Sequence, residues 1–187
     1  MMKRLLLLSL LMISATVFPQ KILINGVERN GKLQWDDFPV TDDSHAYDSY
    51  VWYDFEYNIQ RFKLEKNIVV PESVIGVLKF NSNKSWVRPG AQNDENLERM
   101  QGHFNIGILT IKEIVQELKK MRFQQNEKAA KEAIESKVEL IKMKYKAVAQ
   151  NYDMETKDPQ DKENKEKWDS YFRAELPELY HKRAGTP

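Results

Sequence analysis

Apolar residues recur along 97–118 at Leu97, Met100, Phe104, Ile108, Ile111, Val115 and Leu118, the three-and-four spacing that lays one continuous stripe along a helix. A stripe of that length has to be buried, so the segment is predicted to be the core helix of the chain. Lys119-Lys120 close it, which suits the negative end of a helix dipole. A second helix is predicted over 127–152, with Ala130, Ile134, Val138, Ile141, Tyr145, Val148 and Tyr152 in one stripe and Lys and Glu elsewhere. The regular Lys/Glu alternation on its other faces fits a solvated surface, or a coiled coil with a partner; packing within one domain is the simpler reading. A third helix is predicted over 160–176, anchored by Trp168, Phe172 and Leu176 and stopped near Pro177.

Ahead of residue 81 the apolar period falls from about 3.6 to about 2, the mark of strands. The run 21–24 is closed by Asn25-Gly26, and Asn30-Gly31 is a second turn signal before Leu33 and Trp35, so two adjacent strands are expected there. Asp36-Asp37-Phe38-Pro39 breaks the pattern, and 41–47 is polar and reads as loop. Over 50–57, Val51, Tyr53, Phe55 and Tyr57 share one strand face, and Tyr50, Trp52, Asp54 and Glu56 the other. Runs at 68–70 and 74–80 follow, with Pro71 placed as the connection between them. The stretch 81–96 reads as a loop with one apolar anchor, Ser85-Trp86-Val87, and a turn at Pro89-Gly90. Strands first and helices after make the fold α+β, with an N-terminal β-rich sheet followed by three helices.

The chain has 187 residues, enough for one ordinary domain once a leader is set aside. Residues 1–20 read as an export signal: Lys3 and Arg4 form a basic start, 5–12 a short apolar run, and 13–20 a segment with small and turn-forming residues. The run is too short to span a bilayer, which takes about 20 apolar residues. The remaining 21–187 form a single domain, exported to the periplasm or beyond. Without cysteine it has no disulfide, thiolate metal site or lipid-anchoring thiol. The full chain holds 29 Lys+Arg against 28 Asp+Glu, and removing Lys3 and Arg4 leaves 27 against 28. So even a balance argues against bulk attraction to nucleic acid or an anionic membrane.

Chemistry enters at 99–104. In the helical motif H-E-x-x-H two histidines at i and i+4 share a face and bind zinc, and the glutamate after the first polarises the metal-bound water. Here His103 stands at the second ligand position, Arg99 at the first and Met100 at the general base. Glu98 cannot substitute for the base, because at 100° per residue it points about 140° away from His103, against about 60° for Met100.

The match is wider than one histidine. Trp35-Asp36-Asp37-Phe38, Ser85-Trp86-Val87, the segment 99–106 and the segment 152–159 with Trp168 after it fall in order along the chain. In this the chain resembles a family of uncharacterised exported bacterial proteins predicted to be secreted zinc-dependent proteases. Its shared features are a Trp-x-Asp-Phe start, a Ser-Trp-Val element, an H-E-Q-G-H-F-D-I helix, and Tyr-Asp-x-x-Thr-x-His-Gly followed by a Trp. The resemblance implies a zincin-like arrangement with 97–118 as the site helix. It also makes Asp158 the counterpart of the third histidine.

Three of the four positions that would carry the chemistry have therefore changed. Arg99 would set a fixed positive charge beside a divalent cation, and Met100 cannot take a proton from water. The resulting expectation is an exported, catalytically inactive relative of a zinc protease, without a cofactor, acting as a binding or structural module for an unknown protein or cell-envelope partner. His103 and Asp158 are its remnant metal positions, and an Arg99–Asp158 ion pair is expected in the metal's place. Two alternatives stand beside it. One is an active zinc metallopeptidase with a rearranged site, recruiting His45 or His181 to His103 and Asp158. The other is a cell-envelope carbohydrate-binding module using the Tyr50/Trp52 face. Gly102 and Gly107, costly in a helix, are expected where another element approaches the backbone closely.

Overall fold

A computed structural model describes residues 20–41, 47–158 and 160–180. The expected leader lies outside these residues apart from Gln20, as do His45 and His181. The architecture is α+β, with the sheet first and the helices after it. Strands β1 (Gln20–Ile24), β2 (Val27–Glu28), β4 (Tyr53–Glu65) and β5 (Ile68–Phe80) form one sheet in the order β2-β1-β5-β4. The short strands β3 (Ser49–Tyr50) and β6 (Trp86–Val87) pair with each other beside it. Helices α1 (Asp94–Lys120), α2 (Glu127–Glu155), α3 (Lys162–Glu175) and the single turn α4 (Pro177–Tyr180) complete the fold.

The first turn signal alone makes the N-terminal hairpin. Asn25 and Gly26 both take positive φ, which matches the twist of a two-residue hairpin, and β2 follows at once. Leu33 and Trp35 form no strand: Leu33 is buried in a loop and Trp35–Asp37 is one 3-10 turn. Asp37 closes that turn by accepting from the Gln34 backbone N–H, and it is held by Arg29.

The aromatic strand also differs from expectation. It breaks at Val51-Trp52, then continues to Glu65 and turns back through Lys66-Asn67, again with positive φ at both residues. Pro71 is no connection but lies inside β5, opposite Phe62 at a register shift. Two residues before it the Val69 N–H bonds to Phe123 on the edge away from β4. By the strand repeat Pro71 turns its missing donor to that same edge, beyond the reach of β1, which pairs only with Gly76–Lys79.

Helix α1 begins at Asn93, whose side chain accepts from the Asn96 N–H, and carries Asp94 and Glu95 in its first turn and Lys119 and Lys120 in its last. It crosses β5 on one side and meets α2 and α3 on the other. Its middle is thus enclosed all round: 104–111 is buried without interruption, more than the single stripe predicted. Each large apolar side chain fully buried there contributes about 1.5–3 kcal/mol. Helix α2 turns Val138, Ile141, Tyr145 and Tyr152 inward, and α3 turns Trp168 and Phe172. Pro177 does not only stop α3, because a proline also suits the first position of a helix, and it starts α4.

The expected close approaches are present. A Cβ on Gly102 would stand 2.1 Å from the Tyr152 hydroxyl, and one on Gly107 2.9 Å from the Tyr53 ring. Gly102 therefore sets how near α2 comes to the first turns of α1.

Candidate functional site

Arg99 and His103 lie one turn apart on the flank of α1 that faces the end of α2. Both reach the same carboxylate. Asp153 Oδ1 accepts from Arg99 Nη2 at 3.2 Å and lies 2.9 Å from His103 Nε2. Burial pushes the Asp153 carboxyl up, but the hydrogen bond and charge of His103 and then those of Arg99 outweigh it, so it ends below the usual carboxylate range. An ionised carboxylate only accepts, so the proton in the short contact sits on His103 Nε2. The Tyr152 ring stands edge-on to the imidazole, 5.1 Å between centroids, and holds its orientation.

The expected Arg99–Asp158 pair is thus replaced by Arg99–Asp153. The Asp158 carboxylate accepts from the Gln160 backbone N–H in the turn after α2. Met100 is buried in the core, as its place in the apolar stripe requires. Glu98 borders a separate cavity behind the helix, with Gln101, Asn105 and Trp168, in keeping with its angle on the wheel. There Gln101 bonds Leu33 N, Gly31 O and Asn105, and Asn105 reaches the Tyr180 hydroxyl, so those amides have structural employment.

On its open side the triad borders a groove of about 920 Å³. Arg99, Met100, His103 and Asp153 line one wall, and Tyr50, Trp52 and Asp54 the other. The two candidate regions read from the sequence, the degenerate motif and the aromatic face, are opposite sides of one groove. Tyr50 stacks on Trp86 at 6.1 Å and lies 6.3 Å from Trp52. The Tyr50 hydroxyl is pushed up by burial, then by the charges of Tyr47 and Asp153, so Asp153 acts across the groove. Lys84 covers one face of Trp52, 4.9 Å from its ring. Asp54 accepts from Asn81 and from the Trp52 indole; the Asn81 bond above all keeps its carboxyl below the usual range.

The Ser-Trp-Val element builds this wall. Ser85 is buried, its hydroxyl accepts from the Trp52 backbone N–H and donates to the Asn81 carbonyl, and Trp86 and Val87 pair with Tyr50 and Ser49. That pairing fixes the strand break which turns Trp52 outward. In the sequence Asp153 is matched only as the second residue of the segment 152–159 and given no role, although it stands one residue after the inward-facing Tyr152 and so at the edge of the face that meets α1.

The carboxylate beside His103 is shared with the Arg99 guanidinium, and among the described residues no group of three or more His, Cys, Asp or Glu able to hold a metal comes together. Among those residues, too, no helix is long and apolar enough to cross a membrane. No protein family, curated protein or solved structure matches this chain.

Proposed function

We propose that this chain is an exported, catalytically inactive, metal-free relative of a secreted zinc-dependent protease, with a zincin-like arrangement around α1, retained as a binding module. The observation that carries the reading is the Asp153 carboxylate between Arg99 and His103. A guanidinium at the first ligand position supplies, beside the Asp153 carboxylate, the positive charge that a metal would otherwise bring. It joins α1 to α2 as a bridging metal would, without needing one. The leader composition of 1–20 supports export, and the groove gives the module a place to bind.

The Tyr50/Trp52 wall favours a second reading of the ligand, a cell-envelope carbohydrate stacked on the exposed rings with Asp54 and Asp153 accepting from its hydroxyls. Trp52→Ala should abolish retention on cell-wall polysaccharide if that reading is right; retention unchanged in the variant, or absent in the unmodified protein, would remove it.

The metal question has a direct test. The purified chain should take up no stoichiometric zinc and should show no chelator-sensitive peptidase activity. Arg99→His alone sets two imidazoles at i and i+4 beside the Asp153 carboxylate, three groups of the right kind for zinc, and should bring one-to-one binding by calorimetry. Adding Met100→Glu and Asp158→His tests the wider family correspondence. Tight zinc in the unmodified chain would overturn the proposal.

A further inference from the structure

The cavity behind α1 lies between that helix and α3 and encloses about 560 Å³, within the size range of small-ligand sites. The two helices run in the same direction along it. Lys165 of α3 meets Glu95 of α1 at 3.4 Å near their starts, and further on Lys112 donates to the Glu175 carbonyl. Glu98, Gln101 and Asn105 therefore border the cavity from α1 in the same order as Glu166, Asp169 and Arg173 from α3. Lys32 and Tyr180 stand at the far end, beside Asn105 and Arg173.

The two ends differ in charge. At the near end Glu98 and Glu166 are both exposed and make no ion pair among the described residues. Lys157 borders that end and offsets one of them, while Lys165 is taken by Glu95. At the far end Arg173 gives its Nε–H to Asp169 at 2.6 Å, and the Lys32 ammonium has no carboxylate in contact among the described residues. Each end thus keeps one uncompensated charge, negative near the helix starts and positive at Tyr180.

The positive end is also a set of aligned donors. The Leu33 backbone N–H can only donate, so the Gln101 amide turns its oxygen to it, at 2.9 Å. That sets the Gln101 nitrogen toward Asn105 Oδ1 at 2.8 Å, and the Asn105 nitrogen toward the Tyr180 hydroxyl oxygen at 2.9 Å. Each bond polarises the next. The chain ends on the Tyr180 O–H, which burial holds above the usual tyrosine range and which has no acceptor among the described residues. Lys32 Nζ stands 4.3 Å and Arg173 Cζ 4.9 Å from the centre of the same ring. Burial, then the charge of Arg173, keeps the Lys32 ammonium below the usual lysine range, more than Asp169 restores. A carboxylate there would accept from the hydroxyl and relieve two like charges.

We propose that this cavity binds a free peptide of about three residues, its carboxylate at Tyr180, Lys32 and Arg173 and its ammonium at Glu98 and Glu166. The length follows from the helices. Glu98 to Asn105 and Glu166 to Arg173 each advance seven residues, about 10 Å of helix, and about three extended residues cover that span. A single amino acid is too short to reach both ends. Between the ends the floor is Tyr152, Trp168 and Phe172, packed on one another and buried, which suits an apolar central side chain. The site does not depend on the reading of the Asp153 triad.

Calorimetry on the purified chain with the tripeptide alanyl-phenylalanyl-alanine tests this, with a dissociation constant on the order of 10–100 μM expected. Acetylating the peptide amine, or converting its carboxylate to an amide, should each weaken binding about tenfold or more. The protein should mirror the ligand. Lys32→Gln should weaken the free tripeptide about tenfold and leave the amide-capped form unchanged. Glu98→Gln with Glu166→Gln should weaken the free tripeptide likewise and leave the acetylated form unchanged. Helical circular dichroism and the melting midpoint should stay those of the unmodified chain, because these three charged ends hold no ion pair in it. No heat from the free tripeptide at about 1 mM would overturn the proposal. So would unchanged affinity in either variant, or equal binding of the amide-capped form. Equal binding of the acetylated form would reduce the site to one for simple carboxylates and overturn the peptide.

Discussion

The two halves of α1 are made of the same helix and do different work. From Phe104 to Leu118 the helix is enclosed by β5, α2 and α3, and Phe104, Ile108, Ile111 and Leu118 have no exposed surface at all. From Asp94 to His103 it lies at the surface, where Arg99 and His103 meet Asp153 beside the groove and only Met100 and Gly102 are buried. The first half of that contrast is held by burial, which is large and non-directional. The second is held by charge and hydrogen-bond geometry at half-exposed groups, which is small in energy but specific in what it permits chemically. Substitutions on the flank can therefore change the chemistry offered at the surface while the enclosed half stays as it is.

The contrast would break if the two halves proved equal in stability, and the largest expected effect lies in the core. Ile111→Ala should cost about 2–5 kcal/mol in denaturant melts, through lost burial plus the cavity left against Gly76 of β5. A loss below about 1 kcal/mol would mean that this half is loosely packed. Next comes the junction between the halves. Gly102→Ala gains helix propensity, about 1 kcal/mol, yet its Cβ falls 2.1 Å from the Tyr152 hydroxyl and 2.3 Å from the ring carbon that bears it. The overlap should win, giving a net destabilisation of about 1–3 kcal/mol. Tyr152→Phe in the same chain should relieve part of it, a coupling that a double-mutant cycle reads directly.

How much of this could be read from the sequence follows the same division. Helices α1, α2 and α3 were legible because each repeats its apolar positions over several turns, and burial of that period leaves little choice. Trp168, Phe172 and the Tyr145 and Tyr152 positions fell inside as their spacing required. The sheet was harder. Beyond residue 57 strand β4 is exposed or half-exposed on both faces, so its alternation carries no apolar signal, and Pro71 looks like a break until the strand is seen to have a free edge there. The site was legible only as far as one helix reaches. Arg99, Met100 and His103 share a turn and could be placed on a wheel. Asp153 comes from another helix 50 residues on from His103, and no periodicity encodes which carboxylate of α2 meets α1. Asp158 was reached through motif correspondence, which places residues in order and not in space.

The smallest expected effect sharpens the contrast most, because it separates the ion triad from the core by pH. Asp153 titrates lower in the folded chain than in the unfolded one. Its contribution is therefore complete above the unfolded carboxylate value, about 3.9, and is lost as pH falls through the lower folded value. With its side chain 46% exposed, solvent screens the interaction, and Asp153→Asn should cost less than about 1 kcal/mol near pH 6. That difference from the unmodified chain should shrink toward zero once the pH falls below the folded value of Asp153, where both carry a neutral group. The deficit of Ile111→Ala, a matter of packed volume, should stay constant over the same range. A pH-independent deficit for Asp153→Asn would show that the residue acts by shape and packing, and that the contact with Arg99 and His103 adds nothing to the link between α1 and α2.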